Sequence, residues 1–297
     1  KRDESTDILW HTHDEALRTL KAQNTIPPLS LLDLKIELAN RLFQACCFCE
    51  HRCKVDRRKA SGICGVQETR IASEFLHFGE ETVLVPSHTI FFSGCTFQCV
   101  FCQNWDISQC ACGTSIEPDQ LINVIEHRKN HGARNVNWVG GDPTPHLLYI
   151  LRVLSRLDSN IAQVWNSNMY CSEETMKLLQ GVIDIYLTDF KYGNDSCAKR
   201  LSKVDGYTAI VQRNHKLAYE QGEVIIRHLV LPNHFECCSK PILTFIVEYL
   251  PQACVNIMAQ YRPEYKAHEQ NDISRPSTLE EVSQVKTFAD ELDIHQI

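Results

Sequence analysis

The sequence predicts an α/β fold, namely a partial (β/α)6 barrel of parallel strands with a cysteine-rich N-terminal extension. From Thr89 onward, apolar strand-like runs alternate with amphipathic helical stretches, which is the pattern of repeated βα units. The polar residues of chemical interest come at or just after the carboxyl ends of these runs, where parallel sheets build their sites. We therefore predict an extension over residues 1–85 and a barrel over residues 86–297 that includes a C-terminal helix.

Six apolar runs predict the parallel strands of the barrel. They are Thr89–Ser93, Asn135–Gly140, Ala162–Asn166, Asp184–Phe190, Val224–Leu231 and Val255–Gln260. Helix starts between them are indicated by Pro118, Pro145, Ser172-Glu173-Glu174, the stretch Thr208–Tyr219 and Pro241. Two further helices are predicted outside this series: one over Ser30–Ala39, and one in Ser277–Asp293 that starts with a capping box of Thr278 and Glu281.

Composition limits the classes of partner and compartment. The formal net charge is -7, from 30 basic and 37 acidic residues, so no general attraction to nucleic acid or to an anionic membrane is expected. No apolar stretch is long enough to span a bilayer. The chain has 15 cysteines, and those that cluster do so at metal-ligand spacing, which favours the cytoplasm or another reducing compartment over a disulfide scaffold. It starts at Lys1, which is compatible with a removed leader.

A short loop after the first predicted strand carries Cys95, Cys99 and Cys102. A four-iron cluster normally takes four thiolates, so a loop that offers three leaves one iron with an open coordination position. The alternatives are a zinc knuckle and three buried free thiols. Cys110 and Cys112 are the nearby cysteines that could complete a closed site.

A second cysteine group precedes the barrel. Cys46, Cys49, Cys53 and Cys64 form a four-thiolate set that fits either a structural zinc ion or an auxiliary iron–sulfur cluster. Cys47 and His51 are substitutes in either site, and unliganded buried cysteines are the alternative. The neighbouring basic run is interpreted as a solvated face; it comprises Arg52, Lys54, Arg57, Arg58 and Lys59.

Polar residues occur in or just after the carboxyl-terminal parts of four predicted strands. They are Gly140-Gly141-Asp142, Asn166 with Asn168, Asp189 with Lys191, and Arg227. The two glycines let a ligand approach the backbone, although a turn without function has the same sequence. Asp189 and Lys191 could equally form a local ion pair and nothing more. His234 either contacts substrate or caps its turn, while Cys171, Cys197, Cys237 and Cys238 show no usable ligand spacing and are interpreted as buried thiols.

The spacing Cys95-x3-Cys99-x2-Cys102 resembles the signature of the radical S-adenosylmethionine (radical SAM) superfamily. Further segments resemble a subgroup labelled as pyruvate formate-lyase activating enzyme-like. They include Phe91-Phe92-Ser93-Gly94-Cys95, Gly140-Gly141-Asp142-Pro143-Thr144-Pro145, Trp165-Asn166-Ser167-Asn168-Met169-Tyr170 and Met258-Ala259-Gln260-Tyr261-Arg262-Pro263. The likeness runs from about Cys46 through most of the chain, while substrate recognition does not travel with the shared cofactor machinery.

The resemblance implies a [4Fe-4S] cluster on Cys95, Cys99 and Cys102, with S-adenosyl-L-methionine chelating the open iron. It also implies that Gly140 and Gly141 bind the methionine amino group, where the family usually has Glu and this chain has Asp142. Asn166 and Asn168 would suit the ribose hydroxyls, and Lys191 and Arg227 would clamp the methionine carboxylate. Asp189 is also expected among the cofactor-binding residues.

The implied reaction is reductive cleavage of S-adenosylmethionine to a 5'-deoxyadenosyl radical, followed by hydrogen abstraction from an unidentified substrate. An external one-electron donor of flavodoxin or ferredoxin type is expected, with a small molecule, a peptide or a partner protein as substrate. A first alternative is an activase of a glycyl radical enzyme. A second is a non-catalytic metal-binding or redox-sensing module, which predicts no cleavage of the cofactor.

Overall fold

A seven-stranded sheet forms the framework of the protein. The computed structural model describes residues 4–19, 29–79 and 81–297. The strands are β1 (Ile71–His77), β2 (Ser87–Phe92), β3 (Asn135–Gly140), β4 (Ala162–Ser167), β5 (Ile185–Asp189), β6 (Glu223–Leu229) and β7 (Cys254–Met258). They lie in the order in which they occur in the chain, and all neighbouring pairs are parallel except β1 with β2. In the described part of the chain β1 and β7 are the two edges, so the barrel is open.

The predicted α/β class and the six predicted parallel strands are confirmed. Each predicted strand overlaps its counterpart among β2–β7, and the ends differ by two residues at most. The antiparallel strand β1 was not predicted. Its sequence Ile71-Ala72-Ser73-Glu74-Phe75-Leu76-His77 is half polar and exposes alternate residues, as expected for an edge strand. It lies within the predicted extension but pairs with β2, while the domain boundary at residue 85 stays a prediction.

Helices follow the strands and cover the outer face of the sheet. They are α1 (Thr6–Arg18), α2 (Leu31–Gln44), α3 (Trp105–Ser108), α4 (Pro118–Asn130), α5 (Leu147–Leu154), α6 (Glu173–Leu179), α7 (Asp195–Ser202), α8 (Tyr207–Gln221), α9 (Lys240–Tyr249) and α10 (Leu279–Glu291). The capping box of Thr278 and Glu281 at the start of α10 is confirmed. Ser172 caps α6 as its sequence predicts. Within the described residues, no helix has the length and apolarity that a membrane crossing requires.

Alternation along the central strands separates an outer core from an inner polar layer. Trp138 of β3 and Trp165 of β4 pair in register, and both are fully buried under the helices. Facing the other way, Val164, Leu187 and Ile225 form a small apolar cluster inside the barrel. Two residues further along the same strands come Asn166, Asp189 and Arg227. Three predicted site residues therefore share the inner face at the carboxyl end of the sheet.

Candidate metal and cofactor site

The loop with Cys95, Cys99 and Cys102 follows β2 directly and is pinned by distant backbone. Its Val100 N–H donates to the carbonyl of Leu201 at 2.9 Å, and its Gln98 N–H donates to that of Ser202 at 3.0 Å, both at the C-terminal end of α7. On the opposite side, Nε2 of His51 donates to the carbonyl of Thr96 at 2.7 Å. The loop thus has a defined shape because two other segments hold its main chain.

This loop forms one wall of a cavity of about 230 Å³ at the carboxyl end of the sheet. Ten of the predicted site residues line it: Cys95, Cys99, Cys102, Gly140, Gly141, Asn166, Asn168, Asp189, Lys191 and Arg227. Of the described residues that line the cavity, no other is a cysteine or a histidine. Three thiols beside a cavity that polar residues also line fit a cluster with one iron left open for a ligand.

Each thiol has a hydrogen-bonding neighbour. Ser202 Oγ lies 2.9 Å from Cys99 Sγ, and Ser108 Oγ lies 3.2 Å from Cys102 Sγ. The backbone N–H of Phe97 donates to Cys95 Sγ at 3.3 Å. Burial raises the pKa of Cys99 to about 12 and that of Cys95 well above its usual range. The thiolate form therefore needs a nearby positive charge, which iron would supply.

The two glycines after β3 are required by close packing of main chains. A Cβ on Gly140, whose φ is +119°, would lie 2.2 Å from the backbone nitrogen of Phe92. A Cβ on Gly141 would lie 2.1 Å from the carbonyl oxygen of Gly94, the residue before Cys95. The carbonyl of Gly141 is itself 3.3 Å from Cys95 Sγ. The absence of side chains here lets the end of β3 contact the start of the cysteine loop.

Asp142 lies behind the cavity and not in its wall. Its carboxylate accepts hydrogen bonds from the N–H of Thr144 at 2.9 Å, the hydroxyl of Ser167 at 3.0 Å and the N–H of Asn168 at 3.1 Å. Burial raises the pKa of Asp142 in spite of these bonds. The side chain thus fixes the segment after β4, so Asp142 acts on the cavity by positioning Asn168.

Asn168 joins this segment to the cysteine loop. Its Nδ2 donates to Thr96 Oγ1 at 2.8 Å and lies 3.8 Å from Cys95 Sγ. The residue is buried, and its Oδ1 accepts the backbone N–H of Tyr170 at 3.0 Å. The structure therefore commits much of its amide to protein contacts, while Asn166, two residues earlier and within β4, lines the cavity.

The predicted cations both have carboxylate partners. Lys191 pairs with Asp189, and although burial alone would lower the pKa of Lys191, Asp189 and the nearby thiol of Cys99 raise it. Arg227 Nη2 contacts the buried carboxylate of Glu81 at 2.6 Å. Burial alone would raise the pKa of Glu81, but Arg227 lowers it.

Glu81 also accepts a hydrogen bond from Asn256 Nδ2 at 2.9 Å. Its partners come from β6 and β7, so one buried carboxylate ties two strands to the segment before β2. The sequence contains no local signal for this role, because Glu81 is separated from Arg227 by 146 positions.

Family comparison decides the class of protein. The profile of the radical SAM superfamily matches residues 89–246, more than half of the chain. The chain belongs to the radical SAM superfamily. Members of this superfamily cleave S-adenosylmethionine by means of an iron–sulfur cluster, and they need an electron donor and a substrate. The resemblance stated from the cysteine loop is thereby confirmed.

Individual relatives share the sequence or the fold of this radical SAM protein. The uncharacterized protein MJ0674 of Methanocaldococcus jannaschii is 51% identical over 303 residues, covering 97% of this chain and 89% of its own. SuiB of Streptococcus suis, in a crystal structure with S-adenosylmethionine, aligns with a TM-score of 0.52 at 13% identity. That alignment covers 68% of this chain and 47% of SuiB, so the chain spans about half of SuiB and the likeness is one of fold.

A domain of a pyruvate-formate lyase-activating enzyme from Bacteroides vulgatus also aligns with this radical SAM chain. The TM-score is 0.45 at 16% identity, over 55% of this chain and 97% of that domain.

The second cysteine group lies directly beside the first. Cys46, Cys49, Cys53 and Cys64 line one small pocket, and a Cβ on Gly62 would lie 2.8 Å from Cys53 Sγ and 3.8 Å from Cys64 Sγ. Burial raises the pKa of Cys46, Cys49 and Cys64.

A buried arginine faces this second group. Arg57 is 1% exposed, and its Nη1 lies 3.6 Å from Cys46 Sγ. Its Nε and Nη2 have no hydrogen-bond partner. The prediction that Arg57 belongs to a solvated basic face is therefore wrong; the side chain points inward because a guanidinium can offset the charge of several thiolates.

Of the remaining cysteines, Cys171 forms an isolated β-bridge with Cys49, and Cys110 lines a surface pocket together with Cys64 and Cys95. Cys110 is exposed and Cys112 Sγ contacts Ser93 Oγ at 3.2 Å, so neither reaches the cavity. Cys197 and Cys237 approach His234 near the start of α7. Hydrogen bonding with Cys238 and then with His234 lowers the pKa of Cys197 to about 3.

Proposed function

We propose that Cys95, Cys99 and Cys102 bind three irons of a [4Fe-4S] cluster and that the protein cleaves S-adenosylmethionine reductively at the adjacent cavity. The observation that carries this proposal is the convergence of these three thiols with seven other predicted site residues around one cavity at the carboxyl end of the sheet. When bound, the cluster and the cofactor supply the 5'-deoxyadenosyl radical that abstracts hydrogen from a substrate. The superfamily match supports the reaction class.

The protein's own residues hold the loop and adjust its charge. The hydroxyls of Ser202 and Ser108 lie within reach of two of the sulfurs, and hydrogen bonds to cluster sulfurs are one determinant of the reduction potential. Gly140 and Gly141 allow the β3 end to contact the loop at backbone distance. The cluster ligands thus start from a fixed geometry that does not depend on the substrate.

Cofactor binding falls to the polar residues that line the cavity. We assign Asn166 and Asn168 to the ribose hydroxyls, and the backbone of Gly140 and Gly141 to the methionine amino group. Lys191 and Arg227 attract the methionine carboxylate, while Asp189 and Glu81 balance their charge before it arrives. Asp142 positions the β4 end and does not touch the cofactor.

Apolar side chains complete the wall of the cavity. Phe97, Phe101, Val139, Leu229 and Met258 line it together with the polar residues. An apolar wall excludes water from the reacting carbon–sulfur bond, which protects a radical from side reactions. Gln103, Asn104 and Gln260 lie among the lining residues and are the polar groups that remain for substrate.

We further propose that Cys46, Cys49, Cys53 and Cys64 hold an auxiliary iron–sulfur cluster, with zinc as the alternative. A zinc ion at 2.3 Å from each of its ligands keeps sulfurs about 3.8 Å apart. Among the described residues, the one group of three ligand atoms found within 4.8 Å of one another contains Cys197 and none of these four cysteines. The four sulfurs therefore do not stand at zinc-binding spacing, and the space between them is about 10 Å³, so metal content has to decide between the two groups. An iron content of about eight atoms per chain would support a second cluster, and a content of about four would support zinc.

The electron donor and the substrate are proposed by class. We propose an external flavodoxin- or ferredoxin-type donor and a small molecule, a peptide or a partner protein as substrate. Activation of a glycyl radical enzyme is the alternative substrate role, and a non-catalytic redox-sensing module is the alternative without chemistry. A reducing compartment remains a prediction; all fifteen cysteines are free in the structure.

Detection of 5'-deoxyadenosine tests the proposal. Anaerobically reconstituted, reduced protein incubated with S-adenosylmethionine should release it. Cys99→Ala should abolish the product because it removes one iron ligand, whereas Cys254→Ser, a cysteine on β7 outside the cavity lining, should retain it. Absence of product from fully iron-loaded wild type would reject catalysis and leave the non-catalytic module. If 5'-deoxyadenosine is released, transfer of deuterium into it from labelled candidate substrates would identify the substrate class.

A further inference from the structure

Three side chains of metal-ligating type meet near the N-terminal end of α7, whereas the cysteine loop is held at the C-terminal end of this helix. The ligand atoms of Cys197, His234 and Cys237 all lie within 4.8 Å of one another. Cys197 is in the first turn of α7, His234 follows β6, and Cys237 lies in a π-helical turn, Phe235–Ser239, before α9. Sequence spacing could not reveal this group, because 37 positions separate Cys197 from His234.

His234 is oriented as metal-binding histidines commonly are. Its Nδ1 lies 2.7 Å from the carbonyl oxygen of Pro232. A carbonyl only accepts hydrogen bonds, so the proton is on Nδ1 and the lone pair is on Nε2. Donation of the second ring N–H to a backbone carbonyl fixes both the tautomer and the ring plane of a ligating imidazole. The ring is 3% exposed and cannot turn away into solvent.

The surrounding groups suit a divalent cation bound to thiolates. Cys238 Sγ lies 3.8 Å from Cys237 Sγ and is buried. Asn194 Nδ2 lies 3.4 Å from Cys197 Sγ, and its side chain also caps α7. Arg200 Nη2 lies 3.3 Å from His234 Nε2, and the same guanidinium pairs with the carboxylate of Asp272. A bound cation would take the place of this Arg200 contact on Nε2, while Asp272 would still balance the guanidinium.

We propose that Cys197, His234 and Cys237 bind a zinc ion, with the thiol of Cys238 adjacent to the fourth position. A set of three cysteines and one histidine is a standard structural zinc site. The two sulfurs and the imidazole nitrogen of Cys197, Cys237 and His234 lie within 4.8 Å of one another, and among the described residues neither of the other two cysteine groups meets this limit. This metal site is independent of the proposed reaction, since none of its ligands lines the cavity.

The position of the site indicates its role. Helix α7 begins at the zinc site and ends at Ser202, whose side chain contacts Cys99 and whose carbonyl binds the cysteine loop. The ion would join the start of this helix to the connection between β6 and α9. It therefore acts as a structural tie for the element that supports the cysteine loop.

Thiol labelling of the wild-type protein tests the site. Iodoacetamide labelling of the anaerobic, chelator-treated protein is followed by peptide mass spectrometry, with and without Zn²⁺. We expect zinc to suppress alkylation of Cys197 and of the exposed Cys237, while Cys110 and Cys254 label equally in both samples. Equal labelling of Cys237 with and without zinc would overturn the proposal.

Metal content of variants gives a second measurement. His234→Ala should lose about one zinc ion per chain and keep its iron, while His268→Ala, an exposed histidine elsewhere, should lose neither. A folded His234→Ala protein that retains all wild-type zinc would overturn the assignment. Because zinc and iron are counted separately, this result does not depend on S-adenosylmethionine cleavage.

Discussion

Substitution of Gly141 by Ala should disturb the cysteine loop through a single steric contact. The added Cβ would lie 2.1 Å from the carbonyl oxygen of Gly94 and 2.7 Å from its carbonyl carbon. Both are backbone atoms, and Cβ contacts under 3.0 Å are essentially never seen, so the two main chains must separate by roughly 1 Å. Gly94 precedes Cys95, and the movement is therefore passed directly to an iron ligand.

The size of the effect follows from overpacking. Forcing an extra carbon into a close-packed region costs about 1–3 kcal/mol of unfolding free energy. For a chain of this size each kcal/mol lowers Tm by about 2–4 °C. A displacement of about 1 Å at a reacting centre can reduce the rate by about 100-fold. We therefore expect Gly141→Ala to lower Tm and to release 5'-deoxyadenosine about 100 times more slowly than wild type.

Gly79→Ala is the matched control. Among the described residues, a Cβ at Gly79 would meet only the His77 ring, at 3.5 Å, which is ordinary contact. This variant should match wild type in Tm, iron content and rate. If Gly141→Ala also matched wild type in all three, the close approach of the β3 end to the cysteine loop would not matter to the site, and the reasoning would be refuted.

Three further predictions concern separate parts of the molecule. Ser202→Ala removes the hydroxyl beside Cys99 Sγ, so redox titration should show a more negative cluster potential; an unchanged or higher potential would contradict the hydrogen bond. Arg57→Gln removes the buried charge beside Cys46, so metal analysis should show loss from the N-terminal group with iron retained at the cysteine loop; full metal content would count against charge compensation. Burial lowers the pKa of His215 from 6.5 to about 4, so the unfolded chain binds its proton more readily and wild type loses stability as pH falls from about 6.5 to about 4. In thermal melts, the Tm of His215→Phe should fall less than that of wild type between these two pH values. An equal fall in Tm would show that His215 is not the group responsible.

The barrel strands could be predicted because each is a buried apolar run. β3 runs from Asn135 to Gly140 as predicted, and its residues are almost all buried. β1 could not be predicted, because its register depends on pairing with β2 and its short sequence mixes polar residues with an exposed Phe75. Helix α7 was also missed: its eight residues are mostly polar, and Asn194 caps it in a position that the hydrophobic pattern does not reveal.

The candidate site was predictable where ligand types repeat at short spacing. Cys95, Cys99 and Cys102 lie within eight positions, and the other predicted site residues lie at or just after the carboxyl ends of strands. The supporting contacts were not predictable, because they join segments far apart in the chain. Ser202 is 103 positions from Cys99, and Arg57 was grouped with surface charge although the fold buries it. Asp142 has the position of a cofactor ligand in the sequence, yet its carboxylate binds the segment after β4.

One iron of the cluster on Cys95, Cys99 and Cys102 should have no protein ligand and should remain open to S-adenosylmethionine. Low-temperature electron paramagnetic resonance of the reduced, iron-loaded protein tests it directly. We predict that adding S-adenosylmethionine changes the signal of the cluster on Cys95, Cys99 and Cys102, and that Cys99→Ala abolishes this change. A signal that is identical with and without the cofactor, or a zinc ion bound at this loop in place of iron, would contradict the account.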